Sequence, residues 1–567
     1  MKIRSTVLIT LSLAVMIALG ACATPTAAPV ATEAPPAATE AQPVATEALP
    51  PKPTKETILR VGWSSEPDTL NPLTTYSTEG MEVISLVYDK LLDYDGDFNA
   101  QNALAEEYSY SEDGLTLTFK LRQGVKWHDG ESFTAEDAAF TYNLIKESEQ
   151  GMFAQWLNHV TSAEAPDANT FVLKFDQPQS VNPGLAIHIL PKHIWESISI
   201  EEIETFANDQ PIGTGPYRFV EWKAGSQITL ERNPDFWGEL PAPGTIVYIL
   251  YGNEDIMGQA LKSGDIDIIT EVPPTIWDGL VSAENVKAVS LPSFSFHQIA
   301  FNLGTGEGAP NNPLLADKVI RQALSYAVDR NQLVEVALAG HGRPGGSVLS
   351  IGLTNWHLDI PEDKQMNGDP EKARQLLEEA GYVDTDGDGV REDADGNPLQ
   401  FRLIAIESTT VDVRAAQLFR DAAQEVGIQL DLQTLDENTL GELVYNFDNP
   451  DWDIHIWGWD LGMPDPDDIL WYFTCDQIEN NNELYYCSEI YDELYAEESV
   501  TLDYEKRRSL IDQMQLVFYE DVGYIVMWYQ DKLQAFRTDT WTGWKEISGG
   551  LIYNMTRENY FNITPVE

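Results

Sequence analysis

An α/β architecture with more than one domain is what this sequence predicts, and three observations carry the prediction. Residues 399–406, 411–426 and 428–435 read as strand, helix and strand in succession, the alternation from which α/β lobes are built. About 510 residues follow a leader unfit for a core, too many for one hydrophobic core and enough for two or three domains. Apolar patterning of period two or 3.6 recurs along that length, broken by glycine, proline and acidic turns.

The leader comes first. Lys2 and Arg4 precede a thirteen-residue apolar run over 7–19, which ends in Leu19, Gly20, Ala21 and Cys22. The run is too short to span a bilayer as a stable helix and has the flanks of a signal peptide, so residues 1–22 predict export. The small residues before Cys22 resemble a lipobox, after which the new N-terminal cysteine is lipidated; ordinary signal cleavage is the alternative. Residues 23–56 hold little but Ala, Pro, Thr, Glu and Val, in a seven-residue repeat marked by Pro29, Pro36 and Pro43. Such a segment stays disordered and, at roughly 3.1 Å per residue, could hold a domain up to about 100 Å from a membrane.

In the folded part, residues 58–61 form a strand closed by the turn at Glu66, Pro67 and Asp68. Met81, Ile84, Val87, Tyr88 and Leu91 then share one helix face. Residues 115–121 alternate as a strand, and Thr134 with Asp137 predicts a capping box for a helix running through Ile145. Strands follow at 171–175, 217–222 and 227–232, with a proline-started helix from Pro191. The glycines at 213 and 215 lack a Gly-Lys-Ser/Thr ending and run into a strand, so they are no phosphate loop. Residues 294–302 form a strand, 319–327 and 332–338 helices, and Asp369 with Pro370 opens another helix that Gly381 ends. Near the C-terminal third, apolar residues alternate from Ile454 to Trp457, and the strand breaks among glycines, prolines and acids after Asp460. Trp457, Gly458, Trp459 and Asp460 offer flat apolar surface, open backbone and a carboxylate, which is how a cleft wall looks; a core strand ending in an acidic turn is the alternative.

Composition narrows the function. Thirty-five Lys and Arg against 91 Asp and Glu give a formal charge of −56, a field that excludes nucleic acid and anionic lipid as partners. Besides Cys22 there are Cys475 and Cys487, an even pair close in sequence that predicts a disulfide in an exported chain. None of the eight histidines forms a His-Glu-x-x-His pair, and there is no Gly-x-Ser-x-Gly elbow. No catalytic residue and no functional cofactor is expected. One loop has the donor spacing of an EF-hand: Asp384, Asp386, Asp388, Val390 through its carbonyl, Glu392 and Asp395, with glycine at position six. It is a candidate structural calcium site, with an acidic hairpin turn as the alternative.

These segments together resemble the family 5 extracellular solute-binding proteins, the peptide and nickel class serving ATP-binding-cassette importers. The resemblance runs from about Leu59 to the C-terminus. Its carriers include Leu70-Asn71-Pro72, Leu121-Arg122-Gln123-Gly124-Val125, Gly213-Thr214-Gly215-Pro216-Tyr217, Ser263-Gly264-Asp265-Ile266-Asp267, Arg321-Gln322-Ala323-Leu324 and Asp465-Pro466-Asp467. It implies a two-lobed α/β periplasmic-binding-protein-like fold of type II, large cluster, with the ligand cleft between the lobes. Lobe I would span 57–295 and 529–567, with an extra subdomain at about 80–205; lobe II would span 296–528, and two strands would cross between them. The implied protein is a lipid-anchored monomer at the outer face of the cell membrane that passes a peptide to the importer's membrane permease, with an oligosaccharide as the alternative ligand. A secreted hydrolase is the more distant alternative. The segments implied to flank the ligand are Leu73, Thr74, Thr75 and Tyr76, and residues 458–460. Peptide-binding members usually place an aspartate where this chain has Gly462, so either Asp460 or Asp465 replaces it as partner of a ligand ammonium, or the ligand has no cationic terminus to anchor, which favours the oligosaccharide.

Overall fold

The computed structural model describes residues 57–151, 154–304, 311–478 and 480–566; the signal-peptide, Cys22 and tether readings lie outside the described residues. Two long strands, Val286–Phe301 and Tyr524–Arg537, organise what is described. They run antiparallel from Val286 opposite Arg537 to Ala300 opposite Tyr524, with register breaks between Pro292 and Phe296 and between His297 and Gln298. Pro292 has no N–H to give a ladder, and a local irregularity is how a paired strand accommodates it.

Both strands belong to one eleven-stranded sheet, which extends from opposite ends of them as two wings. From the Arg537 end it continues through Ile268–Ile269, Ile58–Trp63, Thr245–Leu250, Gln227–Arg232 and Tyr217–Lys223. From the Phe301 end it continues through Ile454–Asp460, Gln400–Ile406 and Gln429–Leu435, the last three mutually parallel. The helix Thr410–Glu425 makes the crossover between the parallel strands and buries Ala415, Ala416 and Phe419 beneath them. These wings are two lobes, each with its own core: Leu59, Val61, Ile84 and Leu230 in the first, Ile299, Leu403, Phe419 and Met527 in the second.

Against the first wing stands a separate antiparallel sheet in the spatial order Ala105–Tyr110, Thr116–Leu121, Thr170–Phe175 and Val160–Asp167, covered by the helix Ala135–Ser148. That helix opens on a capping box, in which the Thr134 N–H donates to Asp137 Oδ2 at 2.9 Å. The helix with Met81 on its buried face runs Thr78–Val87 and stops at Tyr88, which is extended. The strand read at 294–302 starts eight residues earlier, at Val286, because its first half alternates too weakly to be seen without its partner. Cys475 and Cys487 are bonded to each other, Cα to Cα 4.6 Å. Among the described residues no helix is long and apolar enough to cross a membrane.

Candidate functional site

The strand Ile454–Asp460 changes character halfway. Its pairing with Gln400–Ile406 ends at Ala405 opposite Ile456, while its pairing with the crossing strand continues to Ser295 opposite Asp460. Ile454, His455 and Ile456 are therefore covered on both edges and buried. From 457 to 460 one edge has no partner strand among the described residues. Period two puts the indoles of Trp457 and Trp459 on one face and Gly458 and Asp460 on the other. With the amide of buried Gln298 turned to suit them, its oxygen accepts from the indole nitrogens of Trp457 at 2.7 Å and Trp459 at 3.1 Å. The rings are thereby fixed edge to face, 6.4 Å apart. Gly458 is glycine for space: a Cβ there would lie 2.7 Å from the ring of His297, its register partner. That ring meets Asp412 through Nδ1 at 3.0 Å and stacks on Trp528.

The free edge opens on two cavities that share Trp459, Asp460, Glu271 and Lys532. The larger, about 560 Å³, is bounded by Trp457 and Gly458, by Ser293, Ser295 and His297 of one crossing strand, by residues 530–533 of the other, and by Glu271 to Pro274. The smaller, about 260 Å³, is bounded by Tyr76, Glu82, Asp468, Tyr472 and residues 552–555. Residues of both lobes thus face one another across the opening.

The opening is acidic and its charges are perturbed. Lys532 is ion-paired with Glu271; burial works against its charge, but Glu271 and Asp460 outweigh that and hold its pKa above the ordinary lysine value. Asp460 exposes its carboxylate to the cleft, yet the enclosing walls desolvate it and raise its pKa, against the opposing pull of Lys532. Burial pushes Glu82 up to about 8 and Asp468 to about 7, the latter although the N–H groups of Gly462 and Met463 donate to its Oδ2 at 2.7 and 3.2 Å. Behind Trp459, whose indole also donates to the Tyr524 hydroxyl at 3.3 Å, buried Glu483 accepts from that hydroxyl and is raised to about 7.

Residues 73–76 turn back on the segment before them. The N–H groups of Thr74 and Thr75 donate to the Asn71 carbonyl, that of Leu73 to Asn71 Oδ1, and that of Tyr76 to Asp68 Oδ2. Their four N–H groups are taken up in a local turn and leave no main-chain donor for a ligand; Leu73 and Thr75 are buried, and of the four only Tyr76, 78% exposed, borders the cleft. Asp465 is corrected too. Arg507 donates to both its oxygens, at 2.8 and 3.0 Å, and it borders neither cavity. An acid 42 residues from its arginine looks unpaired in a sequence. The carboxylates beside position 462 are Asp460 and Asp468. Glu82, Glu271 and Lys532 carried no local signal, because they lie 378, 189 and 72 residues from Asp460 and only folding brings them together. In the acidic loop, oxygens of Asp384, Asp386, Asp388 and Glu392 lie within 4.8 Å of one another. Asp395 stands outside that group: after Glu392 bridges to Val383 and Pro398, the chain turns again around Asp393, which accepts from the Asp395 N–H at 2.9 Å.

Two lobes joined by two strands, with a half-paired strand and an acidic opening between them, define a protein that encloses a solute. The chain belongs to the bacterial extracellular solute-binding proteins, family 5, whose model matches residues 99–481. The oligopeptide-binding protein AppA of Bacillus subtilis is 31% identical over 493 residues, 85% of this chain and 88% of that protein. Its structure, in complex with a nonapeptide, superposes with a TM-score of 0.72 at 28% identity and covers 91% of this chain and all of that one. The mannohexaose-bound periplasmic oligopeptide-binding protein of Thermotoga maritima shares the fold, with a TM-score of 0.69 at 22% identity over 90% of this chain and 99% of that one.

Proposed function

We propose that this chain is the solute-capturing component of an ATP-binding-cassette importer, and that its solute is a peptide held as an added strand along residues 457–460. One observation carries the reading: that edge is unpaired where it borders the larger cavity, and a peptide backbone supplies the missing partner whatever its side chains. The nonapeptide complex of the Bacillus subtilis relative supports it. Closure of the lobes is favoured only by as much as the ligand prefers the closed form, and that form is the one presented to the permease. No bond is made or broken, and ATP is hydrolysed elsewhere. Export through residues 1–22, lipidation at Cys22 and the tether at 23–56 would keep the monomeric protein at the outer face of the cell membrane.

Mass spectrometry of ligand released from gently purified protein tests the assignment. A ladder of peptides is expected; hexose oligomers would replace peptide with oligosaccharide, and turnover of the bound material would contradict a binding role altogether.

The loop at 384–395 is proposed as a structural calcium site, supported by the convergence of Asp384, Asp386, Asp388 and Glu392. Millimolar calcium should raise the melting temperature by about 1 °C, on the order of 1 kcal/mol, without changing peptide affinity. An unchanged melting curve removes the site.

A further inference from the structure

We propose that Glu483 and Tyr524 are positioning residues of the binding site: the Glu483 carboxyl orients the Tyr524 hydroxyl, and that hydroxyl holds the Trp459 indole in the place where it meets the peptide. The proposal rests on the peptide reading above. Trp459 borders both cavities and is only half-buried, so its ring keeps one place only if it is held from behind. Its single N–H is shared between the oxygen of Gln298 at 3.1 Å and the Tyr524 hydroxyl at 3.3 Å. Trp457 engages that Gln298 oxygen more closely, at 2.7 Å, which leaves Tyr524 as the acceptor that the two indoles do not share. The Tyr524 hydroxyl has one hydrogen and gives it to Glu483 Oε1, so its lone pairs are left for the indole. Neither Glu483 nor Tyr524 borders either of the two cavities, and both act through Trp459.

The loop 475–487, closed by the disulfide between its ends, delivers the carboxyl. Its Asn482 is buried and donates to the carbonyls of Thr474 at 3.1 Å and Tyr486 at 2.7 Å, while the Leu484 carbonyl accepts from the Leu303 N–H at 2.8 Å, beside the end of the strand Val286–Phe301. Glu483 itself is wholly buried, and its Oε2 has no hydrogen-bond partner among the described residues. An acid kept in such a place costs stability, and the side-chain bond it makes is to Tyr524. Burial raises its pKa to about 7, against the bond from Tyr524 and that from its own N–H. The titratable groups facing it are phenols: Tyr524; Tyr445, which stacks on Trp457; and Tyr472, which meets Trp459 edge-on at 5.3 Å and on which Asp468 also acts. Above about pH 7 the carboxylate only accepts, and Tyr524 has to donate to it. Below that, the neutral acid can give its own proton to the phenol oxygen and compete there with the indole N–H. Ionisation of Glu483 therefore tightens the hold on Trp459, and peptide affinity gains as pH rises.

Equilibrium dialysis of the full chain below saturation, against a mixed-sequence nonapeptide pool free of Asp, Glu, His and Cys and read by mass spectrometry at pH 5.5 and pH 8.5, tests the arrangement. The unmodified chain is compared with Y524F, E483L and E483Q, each checked for a cooperative melting transition. At pH 8.5, Y524F and E483L should each capture at least about threefold less than the unmodified chain. E483Q keeps an acceptor for Tyr524 but cannot ionise, so at pH 5.5 it should match the unmodified chain within about twofold. The ratio of capture by the unmodified chain to capture by E483Q should then grow at least about threefold between pH 5.5 and pH 8.5, a change that loss of packing alone does not produce and to which Glu82, Asp468 and the peptide amine contribute equally on both sides. A ratio that stays flat with pH, or a Y524F variant that captures as much as the unmodified chain, overturns the proposal and leaves the peptide reading standing. Capture of nothing by the unmodified chain overturns both. Should E483L fail to fold, E483Q and Y524F decide the matter, since each keeps nearly the native shape.

Discussion

The two halves of the strand Ile454–Asp460 share one extended conformation and have opposite fates. Ile454 to Ile456 is paired on both edges, wholly buried, and serves the lobe II core. From Trp457 onward the chain continues in the same extended conformation, with one edge free, an indole pair held from behind by Gln298, and carboxylates in front. What separates them is the end of a neighbouring strand. Gln400–Ile406 finishes at Ile406, which borders the larger cavity, so the site begins where a sheet neighbour runs out.

Substitutions in each half should report on different things. Ile456→Ala leaves a cavity in a packed core and should cost about 3 kcal/mol in urea unfolding, with the surviving folded protein binding peptide normally. Trp459→Ala removes a cleft-facing ring and should weaken peptide binding about 100-fold, roughly 3 kcal/mol by titration calorimetry, with a smaller loss of stability. If the two effects changed places, the division of the strand would be wrong. Gly458→Ala lies between them: its methyl group meets the His297 ring at 2.7–2.9 Å, and yielding there disturbs the bond to Asp412. It should cost about 1–2 kcal/mol of stability and lower affinity as well.

The buried half of the strand and the cleft wall opposite its open half also differ in pH response. His455 is buried among Trp452 and Trp457 with neither ring nitrogen partnered, and burial depresses its pKa to about 3. Between that value and the ordinary one of about 6.5 the unfolded chain takes up a proton that the folded chain refuses. The stability tied to His455 is therefore present above about pH 6.5 and lost as pH falls, by up to about 1.4 kcal/mol per pH unit. Glu82, raised to about 8, has the opposite sign: the unfolded carboxyl gives up its proton near 4.5, so its contribution is lost as pH rises from there through 8. Denaturant melts of His455→Leu and Glu82→Gln across pH 4–9 should flatten the acid side in the first variant and the alkaline side in the second.

Much of this was legible in the sequence, for reasons that vary by residue. The cleft strand could be read because its alternation is local, and the Thr134 capping box because its partners lie three residues apart. The two-lobed fold came through the ordered series of motifs, since periodicity says nothing about which strands cross. The turn at residues 73–76 could not be read, because whether an N–H is free depends on neighbours such as Asp68 and Asn71, which turn the segment on itself. Asp465 was misplaced because its arginine is 42 residues away. Glu82, Glu271 and Lys532 could not be read, since their meeting at Asp460 exists only after the lobes form around the crossing strands.

Amide hydrogen exchange, followed with and without saturating peptide, tests the central claim most directly. The amides of 454–456 are already held in two ladders and should exchange slowly in both states, while the alternate amides of 457–460 that face the free edge should slow at least about 10-fold when peptide is bound. Peptide binding that leaves 457–460 unprotected would contradict the added-strand account, whatever the affinity.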